Sequence, residues 1–318
     1  MGCIVVYSCL AVAQLGAPTP MTGATDRYAR TQEHLASQHR RKLVYASGSS
    51  GFYGVRCSQL SSMIGRPANN FGIHAGLGLR LLMDRALAAC SSGDAIVLGP
   101  EWELYAGPRY GEYACDFIMS RRPDYFASLP LLDQVRIVRS AGPQRVFSGV
   151  WNGLMNRGRA EPPGDSSTKI NDHGDRMITA IDQVRRESSL TRRTQPFPTW
   201  RSPPADLVED IRTFAKACRA KGVRLAVTFA PMCAESDADV RKMQLADRGV
   251  RELWGSTGTP VLGTVQSALY GPGDAFDTLY HLAPDPAMAH TRHLARLIEE
   301  SRLVEDQADS VATGDDYE

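Results

Sequence analysis

The chain has 318 residues, 43% of them hydrophobic, enough to bury one large core or two small ones. Its 36 basic and 35 acidic side chains leave a formal charge of +1, so no field of one sign is present to hold a nucleic acid. Seven cysteines, at positions 3, 9, 57, 90, 115, 218 and 233, include no Cys-x-x-Cys pair and read as small buried hydrophobes rather than as a disulfide framework.

In chain order, residues 1–20 contain an apolar stretch from Cys3 to Ala17, of signal-peptide length, with an Ala11-Val12-Ala13 step like a cleavage site. No basic leader precedes it, and it is shorter than the roughly 20 residues a spanning helix needs. It reads as a signal-like or truncated anchor segment, which predicts an exported or membrane-anchored protein; a cytoplasmic one stays open. Residues 21–41 are polar and predict a stalk.

The folded part is expected to begin with a buried strand at 42–46. A helix over Val55–Met63 and a short strand over Pro67–Phe71 follow. Leu77, Leu79, Leu81, Leu82, Ala86 and Leu87 mark a buried helix, and Gly93-Asp94 turns it into the strand Ala95–Leu98. Residues 101–205 lack a clear period; Trp102, Tyr105, Tyr110, Tyr113 and Trp151 are scattered among arginines, and a proline- and arginine-rich loop runs from Arg192 to Pro198. This block predicts an irregular insertion over one edge of a sheet. Pattern resumes with a helix over Ala205–Ala220, a strand over Val223–Phe229, a helix over Asp237–Trp254, a strand over Pro260–Leu262 and a helix over Ala287–Arg302. After Arg302 come six acids and no Lys or Arg, which predicts a solvated tail over 303–318. Strands alternating with helices predict one three-layer α/β/α sandwich with a flavodoxin-like parallel sheet over 42–302.

Gly48, Gly51 and Gly54 stand between the first strand and a helix. Such a string is compatible with a nicotinamide-dependent Rossmann oxidoreductase, whose glycines let backbone approach a pyrophosphate. That reading demands an acid at the end of the second strand, where Asn69-Asn70-Phe71 stands instead. It also demands a Tyr-x-x-x-Lys pair, which the chain does not contain.

Another set of segments covers far more of the chain. Ser47-Gly48-Ser49-Ser50-Gly51-Phe52-Tyr53-Gly54-Val55 is followed by Asn70-Phe71-Gly72-Ile73-His74-Ala75-Gly76 and then by Gly93 to Glu103. Asn171-Asp172-His173-Gly174-Asp175 comes next, then Asp277 to Leu282. In this order the segments resemble the blocks of the SGNH/GDSL hydrolase superfamily, in particular its subgroup associated with bacterial cell-surface polysaccharide modification. The resemblance implies an SGNH-hydrolase-like fold and a serine-dependent esterase or acyltransferase acting on ester-linked acyl groups, such as O-acetyl groups of an envelope polysaccharide, with no cofactor and no metal. Its partners would be an acylated carbohydrate or small ester and a membrane acyltransferase; nucleic acid is not among them.

On this resemblance Ser49 is the nucleophile, with Ser50 the alternative if the turn is read one residue later. His281 is the base and Asp277 its orienting carboxylate. The oxyanion donors would be the Ser49 amide and that of Gly72 or Gly76. Where the superfamily presents a donating asparagine, this chain has Glu101, whose ionised carboxylate would repel the charge. That departure motivates a second expectation, a catalytically silent protein that binds polysaccharide or a membrane acyltransferase. His74 is expected to pack in its turn, Glu103 to cap a helix or pair with an arginine, and His290 and His293 to lack a metal-binding acid.

Overall fold

Leu43–Ala46 (β1) is a run of four apolar side chains, all buried, as suits a strand covered on both faces. Strand geometry sends alternate side chains to opposite faces. Leu43 and Tyr45 join one apolar cluster with Leu60, Leu294 and Ile298, whereas Val44 and Ala46 join another with Leu82, Ile211 and Phe214. Ala95–Leu98 (β3) divides the same way, with Ala95 and Val97 in the first cluster and Ile96 and Leu98 in the second. The computed structural model describes residues 2–17, 19–155, 170–177, 199–233 and 240–305.

These two strands are the centre of a five-stranded, all-parallel sheet. β1 pairs with Ala68–Asn70 (β2) on one side and with β3 on the other; β3 pairs with Arg224–Thr228 (β4), and β4 with Val261–Leu262 (β6). Met232–Cys233 (β5) and Leu269–Tyr270 (β7) form a separate parallel pair. Among the five sheet strands the order is that of a doubly wound sheet, with the direction of winding reversing between β1 and β3. Cys57–Ile64 (α4) and Pro284–Glu300 (α12) supply the helical side of the first cluster. Gly78–Ala88 (α5), Ala205–Ala220 (α10) and Val240–Gly255 (α11) supply that of the second. The α/β expectation is met by a five-stranded parallel sheet with helices on both faces.

Three expectations for the periphery are corrected. The segment 21–41 is no stalk: Gly23–Ser37 (α2) packs on the domain through buried Ala29, Gln32 and Ala36, and Gln32 Nε2 donates to the Gly72 carbonyl at 2.8 Å. A helix needs only one apolar stripe to dock, and a mostly polar composition conceals it. Ahead of it, Gly2–Ala13 (α1) buries Ala11 against the domain, with Tyr7 donating to the Val138 carbonyl at 3.2 Å. The described part of 101–205 is largely helical rather than irregular: Trp102–Ala106 (α6), Glu112–Arg121 (α7), Pro123–Ser128 (α8) and Leu131–Met155 (α9). Every residue of α7 from Ala114 to Arg121 is buried, so no polar face marks its period. In α9, Gly142 at φ 73° followed by Pro143 breaks the helix in the middle, which mimics a loop in sequence. Finally, the tail begins later than 303, because Leu303 is buried in the first cluster. The Arg192–Pro198 loop and residues 306–318 lie outside the described residues. Among those described, no helix is long and apolar enough to cross a membrane.

Candidate active site

Because β1 and β3 are neighbours, their carboxyl ends bring two loops together at the reversal point, where open sheets of this kind bind ligands. The loop after β1 runs through Ser47-Gly48 into the short helix Ser49–Gly54 (α3); that after β3 runs through Gly99-Pro100 to Glu101 and α6. They are joined by the Glu101 carboxylate, which accepts from the Gly48 amide at 3.0 Å and the Ser50 amide at 2.7 Å. A Cβ on residue 48 would fall 2.4–2.7 Å from the atoms of that carboxyl group, so only glycine admits it.

Glu101 is 3% exposed, and burial raises its pKa above the ordinary carboxylate value, against the opposing pull of the amides that donate to it. A carboxyl group with a raised folded-state pKa holds its proton more tightly when folded. Its contribution to stability is therefore complete below the ordinary value and is lost as pH climbs to the folded-state value. Urea unfolding of wild type and Glu101→Gln across that window should show the wild type losing ground to the variant as pH rises. A constant difference between the two would remove Glu101 as its source.

The two candidate serines differ sharply in access. Ser50 is wholly buried, so as an alternative nucleophile it is corrected: its hydroxyl faces no solvent. Ser49 opens α3, is partly exposed, and its amide meets no acceptor among the described residues. The amides of Gly72 and Gly76, expected as oxyanion donors, are already engaged. Gly72 donates to Asn70 Oδ1 at 2.8 Å and Gly76 to His74 Nδ1 at 2.9 Å. Glu101, for its part, accepts from the turn rather than facing an oxyanion. Of the named donors, the Ser49 amide alone remains available.

Asp277 and His281 lie in a closed turn, pinned where Ala275 bridges Leu282 and the Phe276 amide donates to the His281 carbonyl at 2.5 Å. Asp277 Oδ1 lies 2.5 Å from His281 Nδ1, and the two side chains are 31% and 13% exposed. A carboxylate accepting from Nδ1–H leaves the Nε2 lone pair free to take a proton. The imidazole stacks on Tyr53, with ring centroids 3.8 Å apart and planes at 5°. Tyr53 follows Ser49 by four residues on α3, so the two share a helix face and His281 sits beside the face that carries the serine. Among the described residues no hydrogen bond joins the Ser49 hydroxyl to the His281 ring.

Neighbouring groups shape this corner. His74 presents an exposed edge while one ring face lies 4.1 Å from that of Tyr113; this partial burial, then nearby His281, hold its imidazole below its usual value. Glu103, expected to cap or to pair with an arginine, accepts from the Tyr280 hydroxyl at 2.5 Å and so ties the histidine turn to α6. His290 is buried in α12, where burial pushes its imidazole down to about 3, and its Nδ1 lies 3.2 Å from the Tyr270 hydroxyl. Sequence reasoning missed Tyr53, Tyr280 and Arg176, whose guanidinium lies over Tyr53. The one available signal was the four-residue offset between Ser49 and Tyr53.

The glycine string serves packing. A Cβ at Gly51 would meet the Ser47 hydroxyl, one at Gly54 would meet the Pro231 ring, and the amides a pyrophosphate would need at Gly48 and Ser50 hold Glu101. These residues do not fit a nicotinamide cofactor. Among the described residues no group of three or more His, Cys, Asp or Glu side chains is arranged to hold a metal ion.

Fold and site together define a doubly wound α/β protein with an accessible serine, an aspartate-bound histidine and a buried glutamate at the carboxyl ends of its two central strands. No protein-family model matches the chain, and no curated protein matches its sequence.

Proposed function

We propose that the chain is an SGNH-hydrolase-like, serine-dependent enzyme acting on ester-linked acyl groups. The observation that carries this reading is the Asp277–His281 hydrogen bond on an imidazole stacked against the helix that Ser49 opens. His281 Nε2 takes the Ser49 proton as the serine oxygen bonds to the acyl carbon. The bond from that carbon to the alcohol oxygen then breaks, and the proton passes to the departing alcohol. Water or a sugar hydroxyl releases the acyl group from Ser49 by the reverse sequence. The substrate class, an acylated carbohydrate of the cell envelope, rests on the sequence resemblance.

The oxyanion side is poorly furnished, and one missing donor typically costs about 10²–10³ in turnover. Slow hydrolysis, or transfer completed with a partner's help, is the expected behaviour. The same commitment of donors, with Glu101 in the turn, favours a second reading: a catalytically silent member that binds polysaccharide or a membrane acyltransferase. A fluorophosphonate probe separates the two. The enzyme reading expects labelling of wild type and Ser50→Ala and none of Ser49→Ala; a folded wild type that takes no label belongs to the silent class.

A further inference from the structure

The ring of Tyr53 is covered twice. His281 stacks on it at 3.8 Å, and the Arg176 guanidinium carbon lies 4.2 Å from its centroid. Groups that close cannot share one face of a phenol ring, so Tyr53 is held between them. Arg176 is itself buried and also lies 5.3 Å from the Phe276 ring, which is 5.4 Å from that of Tyr53. Four side chains from three parts of the chain thus meet at one aromatic plane.

We propose that Tyr53 is a positioning residue for His281. This rests on the reading of His281 as a base, but what it assigns is the orientation of the imidazole. Asp277 fixes one point of the ring, Nδ1, and leaves the ring free to turn about that contact; a parallel aromatic surface removes the remaining freedom. Because Tyr53 stands one helical turn from Ser49, the platform for the base and the serine belong to the same six-residue helix. Their relative placement is therefore set locally rather than by the fold as a whole. The arrangement also suits the reaction, since an imidazolium formed on proton transfer lies over the electron-rich face of the phenol. Arg176 covers the far face and keeps the ring from swinging away.

The test compares Tyr53→Phe, which keeps the aromatic face, with Tyr53→Leu, which keeps bulk without it. In proton NMR spectra the His281 ring signals, assigned by their loss in His281→Ala, should lie upfield in wild type and Tyr53→Phe and move downfield in Tyr53→Leu. Turnover of p-nitrophenyl acetate should follow: kcat close to wild type for Tyr53→Phe, and about 10²-fold lower for Tyr53→Leu at unchanged KM. Retention of both the upfield signals and kcat in Tyr53→Leu would overturn the assignment. If wild type turns over no ester, the enzyme reading fails by itself, and the ring signals still decide whether Tyr53 orients His281.

Discussion

Replacing His281 by alanine should lower ester turnover by about 10⁶-fold, and Asp277→Asn should lower it by about 10⁴-fold. The asymmetry follows from the two roles. In the proposed mechanism His281 is the group that receives the serine proton, and a neutral hydroxyl is a poor nucleophile at neutral pH. With asparagine at 277, the side-chain amide can turn its N–H₂ toward Nδ1, which places the ring proton on Nε2 and occupies the lone pair that the proposed mechanism uses. The base is then present in the wrong tautomer. Because Asp277 is 31% exposed, Asp277→Ala admits water beside Nδ1 and should be no worse than Asp277→Asn. Single-turnover kinetics with p-nitrophenyl acetate measure all three variants. An Asp277→Asn protein of wild-type activity would remove Asp277 from the mechanism, and a fully active His281→Ala would remove the base.

Some of this was legible in the residues and some could not be. β1 and β3 were readable because strands buried on both faces are short unbroken apolar runs, and α10 because its buried Leu207, Ile211, Phe214, Ala215 and Cys218 follow the helical period. α7 carries no such period, since its neighbours surround it, and α2 hides a narrow docking stripe in a polar sequence. In the site, Ser49, His281 and Asp277 were named from the resemblance, and their spacing is consistent with the contacts seen. The spacing from Asp277 to His281 suffices for a contact within one turn, and Ser49 opens the helix that follows β1 after Ser47 and Gly48. The direction in which backbone amides point could not be read. Gly72 and Gly76 invite close approach, yet their N–H groups are taken by Asn70 and His74, in each case the side chain two residues earlier. Glu101 was visible as an anomaly; that it accepts from Gly48 and Ser50 depends on β1 and β3 being neighbours, which is a fact of topology.

Asp175→Ala should destabilise the fold by about 3–4 kcal/mol, and the loss should reach the site. The Asn171–Asp175 segment, one of those that carry the resemblance, holds the amino end of a helix. Asp175 is 1% exposed; Oδ1 accepts from the Cys57 amide at 2.6 Å and Oδ2 from the Ser58 amide at 2.8 Å, closing the amino end of α4 from a distant part of the chain. Asn70 Nδ2 and Asn171 Nδ2 approach the same oxygens at 3.3 Å. Helix-capping side chains are worth about 1–2 kcal/mol, and hydrogen bonds to charged groups about 1.5–3 kcal/mol each. Alanine would leave buried N–H groups unpaired, whereas asparagine keeps one acceptor and should cost about half as much. Arg176 is the next residue, so loosening this turn should also release its guanidinium from Tyr53 and blur the His281 ring signals even in molecules that remain folded. Urea unfolding of the two variants measures the first effect and NMR the second. An Asp175→Ala protein within 1 kcal/mol of wild type, roughly the scale of one ordinary hydrogen bond, would show that water or neighbouring side chains can close α4 as well as the carboxylate does.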